Sequence, residues 1–214
     1  MPMSTSIPAG ILALAVAAQC FGQPIKVAQG SNPADGSAWV TLTIPSQTSY
    51  QMANGSGKFA PSLTVRCDSQ GKPGKERRSF SVLLDTGGVQ PGALSVSGSG
   101  SDLLTGANEN SVRLLRENVL FRMKLDANKP QQRRWELVPK SDTVYEYWGD
   151  GATGVGAILS PGQFLSKIFA ARVLTIEFQP FGHQTFGQDN SFASEFHPAG
   201  LEDEFKRHRE CSLK

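Results

Sequence analysis

Val119-Leu120-Phe121-Arg122-Met123-Lys124-Leu125 sets Val119, Phe121, Met123 and Leu125 at every second position, with Arg122 and Lys124 turned the other way. Side chains of an extended strand alternate between its two faces, so this phase predicts a strand with one face in a core and one in water. Working outward, residues 126–131 read as a hairpin connection to a second strand at 134–138, where Trp135 and Leu137 share a face. The same period recurs upstream. In residues 38–44, Trp39, Thr41 and Thr43 oppose Val40, Leu42 and Ile44, and Leu63, Val65 and Cys67 then alternate with Thr64 and Arg66. Residues 80–84 form a strongly apolar strand, and 112–115, 143–148, 172–179 and 191–197 are further strand candidates. With 22 Gly and 13 Pro in 214 residues, the chain favours short strands joined by turns over a helical bundle.

Two segments depart from this period. Pro161-Gly162 opens a short helix over 163–170, with Phe164, Leu165, Ile168 and Phe169 on its apolar side. Residues 200–211 predict a C-terminal helix with Leu201, Phe205 and His208 on one stripe. Its acidic residues (Glu202, Asp203, Glu204) stand near the start and its basic ones (Lys206, Arg207, Arg209) near the end, as the helix dipole favours. The expected fold is mainly β: a single β-sandwich-like domain over 38–214, with one short helix near 163–170 and a C-terminal helix. Residues 23–37, rich in Gly, Pro, Ser and Asn, read as a flexible lead-in.

Residues 9–18 are an unbroken run of small apolar side chains, AGILALAVAA, followed by residues suited to cleavage. Ten residues suit the core of an export signal and are too few to span a bilayer. No Lys or Arg precedes the run, and a buried N-terminal element is the alternative reading. Cysteine parity favours the signal. Of Cys20, Cys67 and Cys211, removal of residues 1–22 leaves two, and an exported pair meets an oxidising compartment in which it closes. A disulfide between Cys67 and Cys211 is therefore expected, the alternative being two separate buried thiols. Gln19 stands where a lipoprotein site before Cys20 wants a smaller residue.

The charged and glycine-rich motifs divide into chemical and structural readings. Leu83-Leu84-Asp85-Thr86-Gly87 resembles the active-site loop of aspartic proteases, in which two carboxylates share a proton to activate water. One such loop per chain would require a homodimer of the retroviral type, with Asp85, Thr86 and Gly87 in the site. Gly88 stands where that family has Ala or Ser, and the later apolar-apolar-Gly segment has only a poor match at Val155-Gly156-Ala157. The structural alternative is a strand running into a turn, for which Asp-Thr-Gly-Gly is well suited. Residues 149–154 match G-x-G-x-x-G, but Pro161 interrupts the segment downstream and no second strand-helix-strand unit appears, so they read as a loop. His183, His197 and His208 have no metal-ligand spacing. No cofactor and no metal is expected. A net charge of +2 argues against a nucleic-acid partner. The basic cluster Lys72, Lys75, Arg77 and Arg78 reads as a solvated hairpin tip.

The order of motifs over residues 60–211 resembles a family of periplasmic accessory proteins associated with type VI secretion, the TagO/VasI type. The likeness runs through Arg66-Cys67, Lys124-Leu125-Asp126, a short Pro-containing turn and Arg133-Arg134-Trp135. It continues with the helix opening at Phe164-Leu165, Pro180-Phe181-Gly182, Phe192 and Phe196, and the closing Gly200-Leu201, Phe205 and Cys211. Lys124 stands where the family usually has Arg. The resemblance implies an exported, non-catalytic, β-rich domain with a terminal helix. The expected role is binding of a protein or cell-envelope partner, in the periplasm or after secretion. Arg122, Lys124, Arg133 and Arg134 are expected to line adjacent strands on the solvent face and form the binding surface.

Overall fold

The alternating segments zip into one antiparallel sheet. The structure, a computed structural model, describes residues 24–51, 57–71, 75–88, 118–147, 159–178 and 192–212. In chain order its strands are β1 (Lys26–Asn32), β2 (Ser37–Pro45), β3 (Tyr50–Gln51), β4 (Lys58–Phe59), β5 (Ser62–Gln70) and β6 (Arg77–Asp85). They continue with β7 (Asn118–Leu125), β8 (Gln131–Leu137), β9 (Val144–Tyr147), β10 (Leu174–Phe178) and β11 (Phe192–Phe196). Helix α1 (Pro161–Ala170) lies between β9 and β10, and α2 (Leu201–Arg207) comes after β11, with a 3-10 turn at Arg209–Cys211. Nine strands form the main sheet in the order β1-β2-β5-β6-β9-β8-β7-β10-β11, and β3 pairs with β4 alone. The protein is mainly β, a single sandwich-like domain with two short helices.

One face of the sheet carries the core. Val40, Leu42 and Ile44 of β2, Leu63, Val65 and Cys67 of β5, and Val82 and Leu84 of β6 are buried. Val119, Phe121 and Met123 of β7, Trp135 of β8, Tyr145 and Tyr147 of β9, and Leu174, Ile176 and Phe178 of β10 complete it. Phe121 sits at its centre, edge-on to Trp135, Tyr145 and Phe178 at 5.5–5.8 Å. Edge-to-face packing of this kind adds to the hydrophobic term. The opposite face is polar and laced by ion pairs, as a half-buried antiparallel sheet requires.

A nine-stranded sheet with one apolar face must curl to bury it. Here the last strand reaches the segment that leaves β2: Gln47 N–H donates to the Glu195 carbonyl at 2.8 Å and the Tyr50 hydroxyl to the Ala193 carbonyl at 2.5 Å. Burial pushes the Tyr50 phenol pKa up, which keeps it a donor. Tyr50, Phe59 and Phe192 pack against one another over this closure. α2 and the 3-10 turn cover one side of the sheet, with Leu201 buried and Phe205 edge-on to Phe80.

Three expectations change. Residues 26–32, read as part of a flexible lead-in, form β1 and pair with β2 along their whole length, Lys26 with Thr43 through Asn32 with Ser37. The domain therefore starts before residue 38. Its strand period is invisible because β1 is an edge strand with almost no core contact. It docks by backbone pairing and by Trp39, whose indole lies over Gly30 so closely that a Cβ there would stand 2.7 Å from the ring. The C-terminal helix is also shorter than 200–211, ending at His208 with an extended backbone before the 3-10 turn begins. The basic tip is only partly solvated: Arg78 is largely covered, bonding Glu76 at 3.3 Å and the Ser212 carbonyl at 3.1 Å. The signal segment 1–22, the strand candidate 112–115, the glycine-rich 149–154, Lys72 and His183 lie outside the described residues.

Candidate functional site

Cys67 and Cys211 are joined, with Cα atoms 5.1 Å apart across 144 residues of sequence. Cys67 is fixed on the core face by its pairing with Val40 and Phe80. Cys211 is delivered by the 3-10 turn, and both residues are buried. The bridge thus ties the C-terminal segment to a central strand.

Asp85 ends β6, where it pairs with Ser62 on one side and Val144 on the other. Its Oδ1 accepts the Gly87 N–H at 2.9 Å, and the buried Thr86 hydroxyl donates to the Thr143 carbonyl at 3.1 Å. Gly87 and Gly88 take positive φ, 73° and 102°, which turns the chain out of the strand. At Gly87 a Cβ would also meet Phe59 at 2.8 Å. Every part of this Asp-Thr-Gly-Gly sequence has a local structural task.

The four basic residues expected on one surface separate. Register sets Leu120 opposite Arg134 and Phe121 opposite Arg133, and β10 sets Glu177 opposite Arg122 and Thr175 opposite Lys124. Arg122, Lys124 and Arg134 therefore share the polar outer face. There Arg122 bonds Glu177 at 3.4 Å, Arg134 bonds Glu136 at 3.1 Å, and Lys124 is exposed. Arg133 points the other way, in phase with Trp135, and is only 4% exposed. Adjacent residues of a strand cannot share a face, so Arg133 leaves the expected surface.

Arg133 instead lines a cleft of about 290 Å³ at the end of the core between the β7–β8 hairpin and α1. Met123, Leu125, Leu159 and Phe164 make its apolar walls. The exposed Lys129 in the hairpin turn, the exposed Lys167 on α1 and the buried Arg133 also line it, and Asn128 and Gln131 add amides. The Arg133 guanidinium donates to the Gln131 amide oxygen. No carboxylate is among the described residues that line it.

The walls are firmly held. α1 starts on a capping box, in which Ser160 Oγ accepts the Gln163 N–H and Gln163 Oε1 accepts the Ser160 N–H. Pro161 at the first turn has its φ already set for a helix. Phe164 packs on Tyr147 at 4.0 Å and edge-on to Trp135 at 6.0 Å, and the Tyr147 hydroxyl donates to the Leu159 carbonyl at 3.1 Å. Sequence reasoning misses Lys129 and Lys167. Lys167 stands one turn after Phe164, at the border of the helix's apolar side, and this is the signal that could have placed it.

His197 bonds Glu195 at 2.6 Å, and His208 lies 3.9 Å from Glu204. Among the described residues no group of three or more His, Cys, Asp or Glu side chains could hold a metal ion, and no helix is long and apolar enough to cross a membrane. No family model matches the chain, and neither a curated protein nor a solved structure is significantly similar to it.

Proposed function

We propose that this chain is an exported accessory protein, periplasmic or secreted, that acts by binding rather than by catalysis and in association with type VI secretion. The observation that carries the export reading is the Cys67–Cys211 bridge, a bond that persists in oxidising compartments and is rare in the cytosol. The secretion-associated role rests on the ordered resemblance from Arg66-Cys67 to Cys211. The surface we assign to a protein partner is the outer face of β8-β7-β10, where Arg122, Lys124 and Arg134 alternate with Glu136 and Glu177. Mixed charges laid across adjacent strands favour a partner of complementary pattern over a uniformly anionic polymer.

Two measurements test this reading. Tagged full-length chain should appear in the periplasmic or secreted fraction. Its mass there without reductant should be about two hydrogens below the reduced mass. Recovery from the cytosol with two alkylatable thiols would overturn the export reading. The R122E/K124E/R134E variant should stay folded, with a lower unfolding midpoint because it sets like charges against Glu177 and Glu136, and should lose co-purification with components of the secretion apparatus. Undiminished co-purification would remove this face from the site.

A further inference from the structure

The two ends of the sheet are finished differently. At one end β11 is closed off: its Glu195 carbonyl accepts the Gln47 N–H and the Ser46 hydroxyl, and its Ala193 carbonyl accepts the Tyr50 hydroxyl. At the other end β1 pairs with β2 over seven residues and, among the described residues, with no strand on its far side. A strand edge left open is a template for another extended chain, and proteins usually blunt it with prolines, bulges, short length or charge. β1 contains no Pro and matches β2 residue for residue without a bulge. Its single charge, Lys26, stands at its first position, and β2 beside it carries no charged residue. Val27 of β1, 43% exposed, is the large apolar side chain that the described residues leave in water.

We infer that the open edge of β1 joins that of a second copy of this chain, antiparallel, so that the two sheets run on as one. The strand is complementary to itself. An antiparallel pair about a twofold axis sets each residue against a fixed counterpart, and the register centred on Gln29 uses all seven. Gln29 then faces Gln29, Val27 faces Ser31, and Lys26 faces Asn32 of the second copy. The two lysines stand about 20 Å apart along the strands, beyond the screening length at physiological salt. Each lysine also reaches the hairpin end of the other copy, where Asp35 is exposed three residues after Asn32. Opposite charges therefore approach at both ends of the ladder while like charges stay apart. On the outer face Ala28 comes opposite Gly30, and these small residues leave room for the Trp39 indole that lies over Gly30. Because β11 is closed, assembly stops at two copies. The outer face of β8-β7-β10 lies toward the other end of the strand order, so the dimer presents it twice without covering it.

Sedimentation equilibrium of the full chain from about 1 to 500 µM tests the inference. A pair of seven-residue strands is a small interface, so a reversible monomer–dimer equilibrium with Kd of about 10–100 µM is expected, with no larger species. Gln29→Lys sets two lysines face to face across the axis, and Gln29→Glu two glutamates. Gln29 is exposed, so both variants should keep their unfolding midpoints while dimerising at least about tenfold more weakly. An equimolar mixture of the two should recover wild-type affinity or better, because Lys then faces Glu. Wild type that stays monomeric at about 500 µM would overturn the inference. So would a dimer undiminished in Gln29→Lys, growth beyond two copies, or a mixture that stays monomeric.

Discussion

Asp126 shows how one residue can hold a site together without entering it. It takes φ of 49° in the β7–β8 turn, a left-handed conformation that Asp tolerates better than most residues. Its Oδ1 accepts the N–H groups of Arg172 and Val173, both at 2.9 Å, and its own N–H donates to the Val173 carbonyl at 2.8 Å. The hairpin that carries Lys129 and Arg133 is thereby clamped to the link leaving α1, which carries Lys167. In the sequence Asp126 is readable as a turn residue only, since its partners lie more than forty positions away. Asp126→Ala removes both accepted bonds and places a less tolerant residue at positive φ. It should destabilise the fold by about 2 kcal/mol, with Asp126→Asn costing less because an amide oxygen remains. Urea unfolding at neutral pH measures both. Wild-type midpoints in the two variants would mean the clamp contributes nothing.

At the scale of elements, β6 and its turn decide between two chemistries for Asp85. The carboxylate caps Gly87 and the strand is paired on both sides, so the geometry gives Asp85 a structural task at the end of a strand. Asp85→Asn retains an acceptor and should shift stability by less than about 0.5 kcal/mol. Asp85→Ala should cost about 1 kcal/mol. Cleavage of an unfolded substrate at acid pH by wild type, abolished in Asp85→Asn, would instead establish the dimeric protease. Elements whose side chains meet the core were legible. Val119, Phe121 and Met123, or Val40, Leu42 and Ile44, announce their buried face because the pleat alternates strictly. α1 was legible from its Pro and apolar stripe. β1 was not, since its side chains are almost all exposed and its pairing is made by backbone. Arg133 was misplaced for a different reason. Its charge suggested solvent, whereas its phase with Trp135 put it inside, and phase prevailed. The cleft was illegible because hairpin and helix meet only in the folded chain.

For the whole molecule, the bridge between Cys67 and Cys211 spans most of the domain and closes a loop of 144 residues. In the chain-entropy account, closing a loop of that length removes unfolded-state freedom worth about 5 kcal/mol, and measured values often fall short. What the bridge holds can be separated from that global term. Apart from the bond itself, the C-terminal segment is kept in place by buried Leu201, by Phe205 against Phe80 and Phe169, and by the Glu76–Arg209 ion pair at 2.8 Å. Arg209 is largely exposed, so that pair contributes little. The sheet has its own dense core at Phe121 and does not depend on the tail for pairing. Reduction, or the C67S/C211S variant, should therefore lower global stability by about 2–5 kcal/mol. It should also release the tail first: amide exchange over residues 201–211 should accelerate more than that of β5 and β6. Chemical unfolding with and without reductant reads the first effect, and exchange monitored by mass spectrometry reads the second. Equal acceleration in the tail and in the central strands would show that the bridge acts on the unfolded chain alone. An unchanged midpoint on reduction would show that the folded packing does not need it.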